Sequence, residues 1–93
     1  MALINVKNKK GTGGNRPPAG CTSWLDFWER KKGKKATTCE AGFCTGTAEV
    51  GGHVIKAGQG GKEYILPICK GHNNRSETEA YEAWESDLVP VKD

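Results

Sequence analysis

The sequence predicts a small α+β domain, and three observations carry that expectation. Two close pairs of potential metal ligands, Cys39/Cys44 and Cys69/His72, stand 24 residues apart. The segment between them reads as a β-hairpin turned on glycines. The whole chain has 93 residues, 35% of them hydrophobic and 13 of them Gly, so its core must be thin. Domains this short bury a modest share of their surface and often need a staple.

The paired ligands supply one. Zinc takes thiolate sulfur and imidazole nitrogen in a tetrahedron, usually four protein ligands in a structural site. Each pair requires only local backbone ordering, and the spacings are C-x4-C and C-x2-H. The expected site is one structural Zn2+ held by Cys39, Cys44, Cys69 and His72, whose binding energy becomes folding energy. The competing readings are unrelated thiols in a reduced core, or two disulfides. The N-terminus argues against a secreted disulfide scaffold, because Met1–Val6 runs directly into Lys7, Asn8, Lys9 and Lys10. No apolar run is long enough for a signal peptide or a membrane span, so a reduced, cytoplasmic protein is expected. Cys21, eighteen residues before Cys39, is too distant for a local knuckle. It is a free thiol, or a replacement ligand if His72 does not bind.

Taken in order, residues 1–21 read as a flexible basic arm. Lys7–Pro18 has no apolar periodicity and little to bury against the entropy of ordering. Leu3, Ile4 and Val6 are the exception and can dock as a short strand. Residues 23–31 read as a helix. Ser23 is its N-cap, Asp26 lies in the first turn, and Gly33 follows the basic last turn of Arg30, Lys31 and Lys32. Trp24, Phe27 and Trp28 share one face, which points to core packing more than to base stacking. The hairpin runs from about Thr47 to Lys56, turns at residues 57–61 and returns from Lys62 to Ile68. Gly51 and Gly52 beside His53 suggest a bulge or a close backbone approach. Ser76-Glu77-Thr78-Glu79 fits a capping box, so a C-terminal helix is expected to about Ser86, with Tyr81, Trp84, Ala80, Ala83 and Leu88 on its apolar stripe. Leu88–Val91 is expected as an edge strand, where Pro90 is tolerated.

The net charge of +3 hides an asymmetry. Residues 1–35 carry nine Lys/Arg against two acids, and residues 36–93 carry five against nine. A basic N-terminal region suits contact with DNA or RNA, although a charge run of this size is also an ordinary solvated surface. The sequence has no nucleophile elbow, P-loop, dinucleotide fingerprint or HExxH. Gly58-Gln59-Gly60-Gly61 is a turn, not a phosphate cradle.

Three runs together carry a resemblance. Gly51-Gly52-His53-Val54 on the first hairpin strand, Tyr64-Ile65-Leu66-Pro67-Ile68-Cys69 on the return strand, and Cys69-x-x-His72-Asn73 resemble the treble-clef core of HNH-type proteins. The likeness covers roughly Cys39 to Arg75 and implies a treble-clef domain over residues 22–93. It implies His53 as the general base of a nuclease and Asn73 as a ligand to a second divalent ion beside it. The pattern is degenerate here. Gly52 stands where the family has a carboxylate, and Tyr64 stands where an Asn would orient the base. A hard cation wants several oxygens, and only Glu49 or Glu63 could substitute.

The functional expectation is a zinc-stabilised, monomeric HNH-like module that binds nucleic acid or a protein. A metal-dependent endonuclease using His53 is the first alternative, and a protein–protein adaptor is the second. No protein partner is named by the sequence. His53 itself is expected to be structural or ligand-contacting rather than catalytic.

Overall fold

The computed structural model describes residues 3–9, 16–42, 44–58, 62–75 and 79–91. Five strands form one antiparallel sheet: β1 (Leu3–Asn8), β2 (Val50–Lys56), β3 (Tyr64–Ile68), β4 (Tyr81–Trp84) and β5 (Val89–Pro90). Their order across the sheet is β4-β1-β2-β3-β5. Among the described residues two helices accompany the sheet, α1 (Trp24–Lys32) and α2 (Lys70–Asn73), with a 3-10 turn at Glu85–Asp87.

The β2–β3 hairpin follows the sequence expectation closely. It pairs Val50 with Ile68 and Val54 with Tyr64. Side chains alternate across a strand, and here the alternation sorts the molecule into two layers. Val6, Val54, Leu66, Ile68, Tyr81, Ala83 and Leu88 build the larger core on one face, joined by Cys39 and Ala41. Ile65 and Val89 point to the other face, where they meet Phe27 and Trp28 of α1.

α1 forms for the reasons read from its sequence. The Ser23 hydroxyl accepts the Asp26 N–H, and Gly33 ends the helix in the left-handed region at φ 71°. Its aromatic face is core: Phe27 and Trp28 are buried, and the Trp28 indole N–H donates to the Asp87 carbonyl at 2.8 Å. The glycines of β2 let the helix sit down. A Cβ on Gly51 would lie 2.6 Å from the backbone of Trp24 and Leu25, so the close approach expected there is a helix N-terminus resting on bare strand.

Two expectations are corrected. Of the segment expected as a flexible arm, Leu3–Asn8 is ordered: the short strand allowed for Leu3, Ile4 and Val6 forms, and it takes in Lys7 and Asn8 as well. It is strand β1, flanked by β2 and β4, with Val6 fully buried. Val6 pairs with Lys56 on one side and Tyr81 on the other. The remaining low-complexity residues 10–15 lie outside the described residues. The C-terminal segment is not a helix. Tyr81 and Ala83 are buried while Glu82 and Trp84 are exposed, the two-residue period of a strand. An apolar run this short fits either period, and the free edge of β1 decides it, because its backbone groups need partners. Of the expected capping box, residues 76–78 lie outside the described residues. Val89–Pro90 forms the edge strand, as expected. Among the described residues no helix is long and apolar enough to cross a membrane.

Candidate metal centre

Four side chains from two separate turns meet on the face opposite α1. The ligand atoms of Cys39, Cys44, Cys69 and His72 all lie within 4.8 Å of one another and could hold a metal ion. His72 Nδ1 is 3.3 Å from Cys69 Sγ and 3.8 Å from Cys39 Sγ, and Cys44 Sγ is 4.0 Å from Cys69 Sγ. A tetrahedron with Zn–S bonds of about 2.3 Å has edges of roughly 3.8 Å. The spacing therefore fits four donors around one ion and is far from the ~2.05 Å of a disulfide bond. All four cysteines of the chain are free thiols.

Local backbone geometry builds each half. The first knuckle is a loop closed by the Thr38–Thr47 bridge. Its N–H groups are aimed inward: Cys39 N–H donates to Gly46 O, Cys44 N–H to Ala41 O, and Gly46 N–H to Cys44 Sγ. A second bridge, Ala41–Ala83, fastens the loop to β4. The other half opens α2. Cys69 is its N-cap residue, and one turn of helix places His72 beside it. Glu49 steadies that turn by accepting the Lys70 N–H at 3.1 Å, so its carboxylate caps α2 and is not turned toward His53.

The electrostatics follow from these placements. Burial pushes the Cys39 thiol up to about 12. The His72 backbone N–H holds the Cys69 thiol below its ordinary value, against the opposing effect of burial. Burial, with the nearby Arg75, keeps His72 neutral to lower pH than a free histidine. A buried sulfur that resists becoming a bare anion, beside a neutral imidazole, suits a cation. Bound metal makes the thiolate form affordable by neutralising it in place.

Two residues that sequence reasoning missed hold this site. Asn8, at the end of β1 and 4% exposed, donates its side-chain amide to the carbonyls of His72 at 2.7 Å, Arg75 at 3.1 Å and Asn73 at 3.3 Å. These carbonyls lie at and just beyond the C-terminal end of α2, where intrahelical donors run out; the His72 carbonyl also accepts the Arg75 N–H at 3.1 Å. Asn8 in turn accepts the Tyr81 hydroxyl at 2.5 Å, and the Tyr81 ring meets the His72 ring edge-on at 5.2 Å. Burial raises the Tyr81 hydroxyl well above its ordinary value, so it stays a donor. The signal was present in the sequence. Ile4, Val6 and Asn8 share one phase of the strand, so Asn8 is a polar residue at a core position.

The residues assigned to catalysis are not brought together. His53 lies under α1, 8% exposed, its ring 4.7 Å from Trp24 in an edge-to-face contact. Its Nε2 is buried without a hydrogen-bond partner among the described residues. Burial lowers its basicity, and the charge of Glu63 opposes that only in part. Asn73 lies on the other face of the sheet. Its Oδ1 would be 3.3 Å from a Cβ on Gly52, and Gly52 and His53 point to opposite sides. Cys21 packs against the α1 core cluster, away from the four ligands. No family model, curated protein or solved structure matches the chain; its function is read from the site itself.

Proposed function

We propose that the chain is a zinc-stabilised binding module of the HNH-like treble-clef kind that contacts nucleic acid. The observation that carries this reading is the convergence of Cys39, Cys44, Cys69 and His72 within 4.8 Å. Three thiolates and one imidazole are a soft, nitrogen- and sulfur-rich set that suits zinc over magnesium or calcium. The order of parts supports the treble-clef assignment: a knuckle loop, the β2–β3 hairpin, then a ligand pair opening α2. Four protein ligands fill a tetrahedron, so the ion acts as a staple and not as a Lewis acid with an open position.

The binding reading is preferred to a nuclease on the placement of His53. A general base must come within hydrogen-bond reach of the water it activates. His53 is covered by Trp24 and α1, and Asn73 faces away from it.

Metal analysis of the purified protein, followed by binding of fluorescent duplex and single-stranded nucleic acid at low salt, tests the proposal. One zinc per chain and salt-sensitive binding are expected, with no cleavage when magnesium or manganese is added. A well-folded protein with no zinc would overturn the staple. Metal-dependent cleavage abolished by His53→Ala, with zinc retained, would make the chain an enzyme.

A further inference from the structure

Resting on the binding-module reading, we infer that the last turn of α1 and the loop after it form a ridge that grips the phosphate backbone of a nucleic-acid duplex. Ten residues, 26–35, hold Arg30, Lys31, Lys32, Lys34 and Lys35 against only Asp26 and Glu29. Both carboxylates are already engaged. Asp26 accepts from Arg30 Nε at 2.9 Å and from the Thr22 N–H at 3.1 Å. Glu29 accepts the Ala36 N–H at 2.8 Å and stands 3.9 Å from Lys35. Lys32 donates to the Ser86 carbonyl. Lys31 and Lys34 form no close ion pair among the described residues, although the partly buried Glu40 carboxylate lies near enough to feel the charges of Lys34 and Lys32. The Lys31 and Lys34 ammonium groups lie over the rings of Phe27 and Trp28, at 5.7 and 5.9 Å. An excess of positive charge therefore remains on this ridge, beyond what the negative end of a helix dipole offsets.

The ridge is ordered before any ligand arrives. Gly33 and Lys34 both donate backbone N–H groups to Glu29 O, and Trp28 is tied to Asp87. The lysine stems lie along aromatic surface while their heads stay outside. A shallow concavity of about 370 Å³ is lined by Arg30, Gly33, Lys34 and Lys35 together with the Asp26 and Glu29 carboxylates, which Arg30, Thr22 and Ala36 already engage. Arg30 and Lys35 are strongly exposed, with side chains 63% and 86% accessible.

The chemistry of the ridge favours polyphosphate over an acidic peptide. A peptide is recognised partly by pockets for its side chains, and the large apolar side chains of α1 are turned inward. The exposed large hydrophobic residue among those described is Trp84, on β4 and not on this helix. What α1 offers is repeated charge on a rigid element, which suits a repeated phosphate. The ridge also relocates the partner surface within the basic N-terminal third. Lys7 is fixed in β1, so that third does not act as one loose arm.

The test is fluorescence anisotropy of a labelled DNA duplex titrated with zinc-loaded protein across a series of salt concentrations. Each phosphate contact contributes about −0.9 to the slope of log affinity against log salt. Lys31→Gln/Lys34→Gln/Lys35→Gln should flatten that slope by roughly three units, while Arg16→Gln/Lys62→Gln leaves it nearly unchanged. Circular dichroism and zinc content check that each variant folds. Should the triple variant fail to fold, Lys35→Gln alone should flatten the slope by about one unit. An unchanged slope in the ridge variants overturns the ridge but leaves the binding reading standing, as does flattening by the Arg16/Lys62 variant instead. Displacement of the duplex by polyglutamate at equal charge concentration would make the partner an acidic chain. Absence of binding by the wild type at low salt would remove the binding reading and the ridge together.

Discussion

At the scale of single residues, Asn8 shows how far from a candidate metal ligand its support can lie. It is 64 residues from His72 in sequence, yet its amide holds the carbonyl of that ligand. Metal ligands are commonly fixed by outer partners whose loss costs about 10–100-fold in metal affinity. Asn8→Ala should weaken zinc binding by about that factor, measured by competition with a chromophoric chelator. It should also cost about 1–3 kcal/mol of stability in the loaded protein, because the buried Tyr81 hydroxyl loses its acceptor and the carbonyls at the end of α2 lose a shared donor. Tyr81→Phe removes only the outer link and should do less. Zinc affinity unchanged in Asn8→Ala would mean that α2 is held by Cys69 and His72 alone. The same residue marks a limit of sequence reading. The four ligands were legible because each pair is local and its spacing is set by one turn of backbone. For Asn8 the strand phase signals only a polar residue at a core position; its partners are not legible, because a helix more than sixty residues away supplies them.

At the scale of elements, legibility again follows contact distance. α1 and the β2–β3 hairpin could be placed from caps, glycines and alternation, all of which act within a few residues. β1 and β4 could not be paired, since Ile4 and Ala83 meet only in the finished sheet. The capping-box pattern before Tyr81 pulled the reading toward helix. The unpaired edge of β1, invisible in a local window, pulls the chain toward strand. The α1–sheet contact yields a sharp expectation at this scale. Gly51→Ala places a Cβ 2.6 Å from the backbone carbonyl carbon of Trp24 and the amide nitrogen of Leu25. Backbone cannot swing aside as a side-chain tip can, so α1 must lift or the strand must bend. The loss should be about 1–3 kcal/mol in urea unfolding of the zinc-loaded protein. A neutral result would show that α1 rides loosely on β2, and would weaken the rigid ridge inferred from it.

At the scale of the whole molecule, the candidate metal site draws on several parts of the larger core. Cys39 is itself a core residue. Cys69 links β3 to α2 as the helix's N-cap residue, Ala41 ties the knuckle to β4, and Asn8 ties α2 to β1. Removing the ion should therefore not release one loop but loosen the sheet, beginning at β1 and β4. Structural zinc contributes on the order of 10 kcal/mol in small domains, more than such a core supplies by itself. Chelation should abolish amide protection at Val6 and Ala83 together, and zinc should restore it. The effect of pH has the same origin. The folded His72 is less basic than an unfolded histidine, so between its lowered value and about 6.5 the unfolded chain holds more protons. Stability must then rise with pH through that window and fall as acid is added. Metal strengthens the trend, since zinc displaces protons from thiols, including a Cys39 thiol otherwise held up near 12. Zinc binding at neutral pH should release protons into a weak buffer, and acidification should expel the ion and unfold the domain in a single transition. Two separate transitions, with β1 and β4 protected after the ion has left, would mean that the sheet stands without its staple.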